Sequence, residues 1–392
     1  MTATSVTPRC SASSVRSGRR PRRGSRLNWT GDLWMALRRR SHLAEGVRMS
    51  FPFLPSGWCR RLLGFFAGCL LLLLDVTATE RARRLVMAAE GEPAVHAALA
   101  ALPPEGGIVE LGAGTFRITH PIILDRDGVE LRGQGVETKL VLGPKANCPV
   151  VIIGREGTRP DRLVRRVTVR LLFIDGNRAE QEFECWGGPC DEQGRTAIRN
   201  NGITIRGAED VLVEDVSTVH ARSGGIVLEK HCRRIRLARV EAYENEFDGV
   251  AAYETEDSEF TALNLHRNRS AGFSFDWRFN RNRVTDCNAS DNGSQGIFMR
   301  DSIWNVFERL TLNNNGEQGI FMAETRELPG TACRYNRFSK VTVTGNRTQG
   351  IRINDRSCNP NTIEDSLVRG NRLEDVSLAD FGQLEIVRPR EN

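Results

Sequence analysis

Three residues with side chains suited to acid–base chemistry recur at a nearly fixed spacing in the middle of the chain. Tyr253, Asp276 and Arg300 follow one another at steps of 23 and 24 residues. A lyase or epimerase acting on a uronate neutralises the sugar carboxylate with a cation and removes the adjacent proton with a base. Arg300 suits the first task, Tyr253 is a candidate base, and Asp301 adds a carboxylate directly after Arg300. The set of Tyr253, Asp276, Arg300 and Asp301 therefore predicts a catalytic site for an acidic sugar.

The same acids are compatible with glycoside hydrolysis. That reaction needs two carboxyl groups, about 5 Å apart for retention or about 6.5 to 9.5 Å apart for inversion. If the repeats stack, Asp276 with Asp301 suits the shorter distance and Glu254 with Asp301 approaches the longer. A structural interpretation also stays open, because Asp276 and Arg300 have opposite charges at equivalent repeat positions and such a pair stabilises a sheet face.

Aromatic and charged residues at neighbouring positions form a candidate binding strip. Flat aromatic faces suit sugar rings, and arginine suits the carboxylates of uronates. The residues assigned to substrate binding are Glu229, Glu254, Trp277, Phe298, Phe321 and Arg352. Glu229 has a structural interpretation as well, since Arg206 occupies the equivalent position one repeat earlier. The strip predicts a polysaccharide or glycan partner.

Three acids at successive repeats suggest a cation site. Asp301, Glu324 and Asp355 would be about 4.8 Å apart on stacked strands, a spacing at which like charges repel unless they are protonated or bridged by a cation. Oxygen ligands in this arrangement suit calcium. Calcium is therefore a possible cofactor, and the sequence indicates no other.

These positions are set by a repeat in which a glycine begins a short apolar-x-apolar strand. The glycines are Gly202, Gly225, Gly249, Gly272, Gly296, Gly319 and Gly350, at steps of 23, 24, 23, 24, 23 and 31 residues. A period of this length with strand-like alternation is typical of a solenoid. Each period has room for three short strands, which predicts an all-β parallel β-helix with three strands per coil. The side chains two and four residues after each glycine are expected to face solvent.

Two further features fit a solenoid. An asparagine stands four residues before each of five repeat glycines, at Asn245, Asn268, Asn292, Asn315 and Asn346. Stacked coils would place these amides in a ladder that satisfies buried turn groups. A short amphipathic helix at residues 92–101 is expected to cap the first coil.

The first coils, at 107–142, and the generic repeat from Gly202 resemble the pectin-lyase-like superfamily of right-handed parallel β-helices. The resemblance covers residues 92–369 and implies that fold, and we assign residues 79–392 to one parallel β-helix domain. The segment from Phe247 to Tyr253, followed by Phe260, is similar in spacing to the repeats of mannuronan epimerases, but their Asp-Pro-His motif is absent. Pectin-hydrolysing members carry Asn-Thr-Asp and Gly-His-Gly motifs. The sequence around Asp248 echoes the first in part, and the second is absent.

The cysteines after residue 78 predict two disulfides. Cys333 and Cys358 each lie three residues before an asparagine on adjacent coils, where the Cα spacing suits a bridge. Cys185 and Cys190 form a second candidate pair, inside a loop at 178–201 that is a candidate wall or lid of the site. Cys148, Cys232 and Cys287 are expected to be small core residues.

The composition of residues 1–78 predicts a leader segment that precedes the folded domain. Residues 1–48 are rich in Arg, Ser and Pro, which predicts disorder, and translation is expected to begin at Met49. Residues 49–78 contain the apolar run 62–74 after two arginines, which predicts a signal peptide cleaved after Ala78 and a secreted or periplasmic protein. Residues 1–78 contain 13 Arg and 3 acids, so the remainder has 42 basic and 46 acidic residues, a formal charge of −4. This excludes the charge argument for nucleic-acid binding, and no membrane partner is expected after cleavage.

The sequence thus favours an exported carbohydrate-active enzyme, a polysaccharide lyase or epimerase acting on a uronate-containing or related polysaccharide. Glycoside hydrolysis with paired carboxylates and a non-catalytic glycan-binding β-helix are the alternatives.

Overall fold

The computed structural model describes residues 81–157, 160–184, 198–325 and 331–387. They fall within one compact unit, Thr77–Asn392. The predicted leader, residues 1–48 and 49–78, lies outside the described residues, as do Cys185 and Cys190. None of the described helices is long and apolar enough to cross a membrane.

The described part of the chain forms one α-helix, α1 (Gly91–Ala100), two short 3-10 helices (Ala88–Glu90 and Arg178–Glu180) and 29 strands. The N-terminal strands are β1 (Arg83–Val86), β2 (Gly107–Leu111), β3 (Gly114–Ile118), β4 (Ile122–Leu124), β5 (Val129–Leu142), β6 (Val151–Gly154), β7 (Val164–Arg165) and β8 (Thr168–Asp175). The central strands are β9 (Ile203–Arg206), β10 (Ala208–Val219), β11 (Ile226–Glu229), β12 (Cys232–Tyr243), β13 (Val250–Tyr253), β14 (Thr255–Glu256), β15 (Glu259–Thr261), β16 (Asn264–His266), β17 (Phe273–Asp276), β18 (Arg283–Thr285), β19 (Asn288–Ser290) and β20 (Ile297–Arg300). The C-terminal strands are β21 (Val306–Glu308), β22 (Ile320–Ala323), β23 (Arg337–Ser339), β24 (Thr342–Thr344), β25 (Ile351–Ile353), β26 (Asn361–Glu364), β27 (Leu367–Arg369), β28 (Val376–Leu378) and β29 (Leu384–Val387).

All strand pairs in the described residues are parallel and join each coil to the next. A ten-stranded sheet stacks β4, β6, β9, β11, β13, β17, β20, β22, β25 and β28. The other strands form the remaining faces in a 17-stranded and a 2-stranded sheet. The chain is therefore a right-handed parallel β-helix, as predicted, with α1 as its only α-helix in the described part.

The repeat phrase forms the ten-stranded sheet because its alternate apolar residues fill the interior. Phe273 and Phe275 on β17, and Ile297 and Met299 on β20, are fully buried. Aromatic rings also stack between coils inside the helix, as Phe307 does on Phe338 at 4.5 Å between centroids. The interior is thus a continuous apolar column.

The predicted asparagine ladder is confirmed. In each rung one amide donates to the next, as Asn268 Nδ2 does to Asn292 Oδ1 at 3.0 Å and Asn292 Nδ2 to Asn315 Oδ1 at 3.2 Å. The ladder continues through Asn346 to Asn371. Each Oδ1 also accepts the backbone N–H of the preceding rung, so buried turn donors are satisfied.

The ladder explains why the repeat begins with glycine. A Cβ atom at Gly249 would lie 2.8 Å from Nδ2 of Asn268, and one at Gly272 would lie 2.9 Å from Nδ2 of Asn292. The buried amide column leaves no room for a side chain at these positions. Close approach, rather than backbone conformation, fixes the glycine period.

A second asparagine ladder runs along another turn. Asn282, Asn305, Asn336 and Asn361 are joined by the same Nδ2–Oδ1 bonds, at 3.3, 2.9 and 3.0 Å. Their steps of 23, 31 and 25 residues were readable from the sequence.

Helix α1 caps the first coil, as expected. Val95 is fully buried against the core, and the buried carboxylate of Glu92 anchors the helix to the coil. Its oxygens accept the backbone N–H groups of Thr119 and His120, at 2.7 and 2.9 Å. Burial by itself would raise the pKa of Glu92, but the hydrogen bonds from Thr119 and His120 outweigh it and lower the pKa to about 2.

Candidate functional site

A cleft of about 800 Å³ lies on the outer face of the ten-stranded sheet. Seven of the ten residues predicted for catalysis or substrate binding line it: Glu229, Tyr253, Glu254, Asp276, Trp277, Phe298 and Arg300. The cleft is also lined by residues that the sequence did not assign to a site, among them Arg199, Lys230, Asp248, Ser270, Ser274 and Gln295. The repeat therefore brings the main predicted residues together.

Half of the fourteen side chains expected to face solvent are buried instead. Thr204 and Arg206 in the first repeat are at most 1% exposed, and Asp276 is 3% exposed. Neighbouring segments cover this face, since Arg206 donates to the carbonyl of Glu156 and Asn201 donates to Thr204. The strip is consequently a desolvated cleft, where charges interact more strongly than on an open surface.

Asp276 and Arg300 form the central charged pair of the cleft. Nε of Arg300 donates to Oδ2 of Asp276 at 3.0 Å, and its Nη2 donates to the same oxygen. Oδ1 of Asp276 accepts the N–H of Trp277 at 2.8 Å. Burial raises the pKa of Asp276, although Arg300 acts in the opposite direction. The ion pair holds the arginine fork at the cleft wall.

Tyr253 stands next to this pair, since it faces Asp276 in the register of β13 and β17. Burial raises the pKa of its phenol above the ordinary value, and the charges of Asp248 and Asp276 raise it further. The phenol therefore stays protonated at neutral pH and can donate a proton.

Asp248, immediately before the repeat glycine, is the acid that sequence reasoning left out of the site. It is 2% exposed. Its Oδ1 accepts the N–H of Ala271 at 3.0 Å, whereas the buried Oδ2 makes no hydrogen bond of normal geometry within the described residues. Burial raises the pKa of Asp248 to about 6, against the hydrogen-bonding effect of Ser270 and Ala271. An oxygen in this state at a cleft wall is suited to proton exchange with a ligand.

The charges at the first end of the cleft are paired within the protein. Nε of Arg206 lies 2.9 Å from Oε1 of Glu229, so the structural interpretation of this pair is supported. Burial raises the pKa of Glu229 despite Arg206 and the adjacent Lys230. Glu254 lies 3.0 Å from Nδ1 of His231.

Aromatic side chains continue the cleft along the helix axis. Phe298 and Phe321 stack at 5.5 Å with an angle of 14° between their planes, and the guanidinium of Arg300 lies 5.3 Å from the Phe298 ring. Arg352 is paired with Phe321 in the register of β22 and β25, one coil beyond. Phe321 and Arg352 thus extend the row of cleft residues without lining the cleft itself.

The predicted calcium ligands are not assembled as a metal site. Among the described residues no group of three or more His, Cys, Asp or Glu side chains is placed to hold a metal ion. Asp355 instead accepts the backbone N–H of Glu324 at 3.0 Å, and Ser357 donates to Glu324 at 2.5 Å. Asp301 is buried beside Asp276, and both burial and that neighbouring charge raise its pKa.

The disulfide predicted between Cys333 and Cys358 is not formed in the structure, where both are free cysteines. The two are nevertheless adjacent, because the N–H of Cys333 lies 3.4 Å from Sγ of Cys358. Stacking of the coils brings the thiols together as expected, but each sulfur is accommodated by hydrogen bonds. Cys232 and Cys287 are buried as predicted, and Cys148 is half-buried.

The loop at 178–201 contributes Arg199 and Asn201 to the cleft wall, in line with its expected role. The guanidinium of Arg199 lies over the ring of Phe247 at 5.4 Å. Residues 185–197 of this loop are outside the described residues.

Fold and cleft together define the class of this protein as a right-handed parallel β-helix with a concave, partly charged site on one sheet. Residues 196–329 match the family model described as the right handed beta helix region. The resemblance to pectin-lyase-like β-helix proteins is confirmed at the level of the fold.

Three solved structures illustrate the likeness. The A-module of the mannuronan C-5 epimerase AlgE4 of Azotobacter vinelandii is 17% identical, with 78% of this chain and 96% of that chain covered and a TM-score of 0.47. The periplasmic alginate epimerase AlgG is 12% identical, with coverages of 78% and 82% and a TM-score of 0.45. The catalytic domain of a GH87 α-1,3-glucanase in complex with tetrasaccharides is 12% identical, with coverages of 80% and 69% and a TM-score of 0.51. At 12% identity the likeness to the glucanase domain concerns the fold alone. No curated protein sequence matches the chain.

Proposed function

We propose that this chain is a carbohydrate-active enzyme that binds a polysaccharide in the cleft and moves a proton at a sugar carbon, as a lyase or an epimerase of uronate residues does. The observation that carries the proposal is the pairing, in one cleft, of Asp248 with Tyr253. Burial brings the pKa of Asp248 to about 6 and keeps the phenol of Tyr253 protonated. Two titratable groups with widely separated pKa values suit the roles of base and acid.

In this mechanism Asp248 is the base. Above about pH 6 its carboxylate accepts the proton next to the uronate carboxyl group, and the electron pair of the broken C–H bond is delocalised onto that carboxyl group. Tyr253 then donates its proton. It goes to the leaving glycosidic oxygen in a lyase, or to the opposite face of the carbon in an epimerase. The sequence suggested Tyr253 as the base, but its raised pKa favours the donor role.

Arg300 would stabilise the charge that develops on the substrate. Its guanidinium is oriented by Asp276 and lies at the cleft wall beside Phe298. A fixed cation at this position needs little reorganisation as the sugar carboxylate gains charge, which is the most effective form of electrostatic catalysis.

Glycoside hydrolysis is the second candidate, and one observation favours it. Asp248 and Asp276 both line the cleft, and burial raises the pKa of each. A glycosidase needs one protonated and one ionised carboxyl group at its cleft. In that reaction Asp248 would act as the general acid.

The experiment is product analysis with the purified protein on alginate, polygalacturonate and dextran. An ultraviolet-absorbing unsaturated product identifies a lyase. Deuterium uptake from D2O without chain shortening identifies an epimerase, and new reducing ends without unsaturation identify a hydrolase. Asp248→Asn and Tyr253→Phe should each lower turnover by roughly 100-fold or more, whereas Asp210→Asn, at an exposed position of β10, should leave it unchanged. Full turnover by both cleft variants would exclude this site, and binding without turnover would favour the non-catalytic glycan-binding alternative.

Export stays a prediction from the apolar run at 62–74, outside the described residues.

A further inference from the structure

The described residues carry exposed aromatic side chains outside the cleft as well as at its rim. Of the Trp and Tyr side chains in the described residues, Trp277, Trp304 and Tyr335 are exposed, by 44%, 56% and 46%. Trp277 lies in the turn after β17 and also lines the cleft. Trp304 lies two residues before β21 and Tyr335 two residues before β23, so the two occupy equivalent positions on adjacent coils.

Trp304 and Tyr335 form a stacked pair outside the cleft. Their ring centroids are 4.3 Å apart and their planes differ by 12°. One face of each ring is therefore covered by the other ring. An exposure of 56% for Trp304 then leaves its opposite face open to solvent. The N–H of Trp304 donates to the carbonyl of Arg334 at 3.1 Å, which helps to fix the ring position.

The open face is not covered by the preceding residue of the same column. Arg281 precedes Trp304 by one coil, but its Nε donates backward to Asp257 at 2.7 Å and its Nη2 to Glu256 at 2.7 Å. The guanidinium of Arg281 is thus bound to the preceding coil and does not cover Trp304. No cation–π contact to Trp304 occurs in the described part of the chain.

The residues equivalent to Trp304 on earlier coils form ion pairs that have a structural role alone. Asp210 and Arg234 are joined across one coil by bonds of 2.6 and 3.0 Å, and Asp257 and Arg281 repeat the arrangement. An ion pair of this kind links adjacent coils while keeping the turn hydrated. An exposed aromatic pair at the next equivalent position leaves apolar surface in water, which is typical of a binding surface.

We propose that Trp304 and Tyr335 form a second glycan-binding site, which holds a part of the polysaccharide chain distant from the unit in the cleft. The inference rests on the proposed function for the identity of the polymer. Open aromatic faces bind the C–H faces of pyranose rings. The nearby cation Arg334 is engaged with the carbonyl of Ser357 at 3.1 Å, so contact depends on ring stacking rather than charge. Trp277, at the cleft rim, comes four residues before Arg281, the position that Trp304 occupies one coil later, so the aromatic pair lies one corner of the coil away from the cleft rim.

The test is affinity gel electrophoresis of the full chain in gels containing alginate, polygalacturonate or dextran. Trp304→Ala and Tyr335→Ala should weaken retardation by the bound polymer about three- to tenfold, and Trp304→Phe should retain most of it. Arg234→Ala is the matched control, because it removes the equivalent coil-to-coil contact without removing a ring. It should leave retardation unchanged.

Several outcomes would overturn the second site. These are wild-type retardation of Trp304→Ala, equal weakening by Arg234→Ala, or no retardation of the wild type by any of the three polymers. Turnover of a trisaccharide, too short to reach both sites, should be unchanged in Trp304→Ala. Asp248→Asn separates the two proposals, since it should lose turnover and keep retardation. Retarded but inactive wild type would count against the proposed function alone.

Discussion

Arg300 donates to Asp276 across one coil of the helix, with 3.0 Å between Nε and Oδ2, at a carboxylate that is 3% exposed. The pair had two interpretations from the sequence, a catalytic one and a structural one, and the geometry allows both at once. Asp276 holds the guanidinium of Arg300 in place, and Arg300 also lines the cleft. A cation held in this way is ready for a substrate carboxylate.

Arg300→Lys should preserve the charge and lose the planar fork. We expect kcat/KM on the polyuronate to fall roughly 10- to 100-fold, the range set by loss of one or two charge-assisted hydrogen bonds. Steady-state kinetics on the active polymer would measure it. Arg234→Lys, in a surface pair, is the control and should change kcat/KM less than twofold. An unchanged kcat/KM in Arg300→Lys would remove Arg300 from the site.

Asp248→Asn should stabilise the fold at alkaline pH. The folded-state pKa of about 6 lies above the ordinary 3.8, so the stability linked to the protonated group is complete below about pH 4 and is lost as pH rises through 6. Asparagine does not ionise, and the variant should exceed the wild type by roughly 1–3 kcal/mol at pH 8. Chemical denaturation at pH 8 and pH 4 would measure the difference. A less stable variant at pH 8 would contradict the assignment.

Glu92 should give the opposite pH dependence. Its folded-state pKa of about 2 lies below the ordinary 4.5, so its contribution is complete above about pH 4.5 and is lost as pH falls toward 2. Glu92→Gln should therefore lower the free energy of unfolding by roughly 1–3 kcal/mol at pH 7 and by much less near pH 2. Denaturation across this range would measure it. A pH-independent difference would show that the carboxylate charge is unimportant for anchoring α1.

Asn292→Ala should break one rung of the asparagine ladder. The substitution removes the acceptor of the Asn268 N–H and leaves buried donors unpaired, at a cost of about 2–4 kcal/mol. Thermal or chemical unfolding would measure the loss. Arg347→Ala is the control, because Arg347 is exposed and directly follows the ladder residue Asn346, and it should cost under about 0.5 kcal/mol. A loss for Asn292→Ala no larger than for Arg347→Ala would mean that the ladder is dispensable.

The fold could be predicted because its determinants are local and periodic. The glycine and asparagine positions recur within each coil, and the structure shows that each explains the other, since the amide of Asn268 occupies the space above Gly249. The register that follows from this period also brought Tyr253, Asp276 and Arg300 to one place.

The features of the site that the sequence did not predict depend on contacts between distant segments. Asp248 was missed because it precedes the repeat strand, and its burial comes from other coils and the cleft wall. The burial of half of the positions expected to face solvent was missed for the same reason, as the covering of Arg206 by the Glu156 carbonyl shows. A matching interval in the sequence did place Cys333 beside Cys358, but proximity alone does not determine whether a bond forms.

The most direct test of the central claim is the pH dependence of kcat/KM on the active polysaccharide. If Asp248 is the base, activity should rise with pH through about 6, and the residual activity of Asp248→Asn should lack this rise. Activity that falls as pH increases through 6 would make Asp248 an acid and contradict the lyase or epimerase mechanism. A profile with no inflection near pH 6 would remove Asp248 from the chemistry altogether.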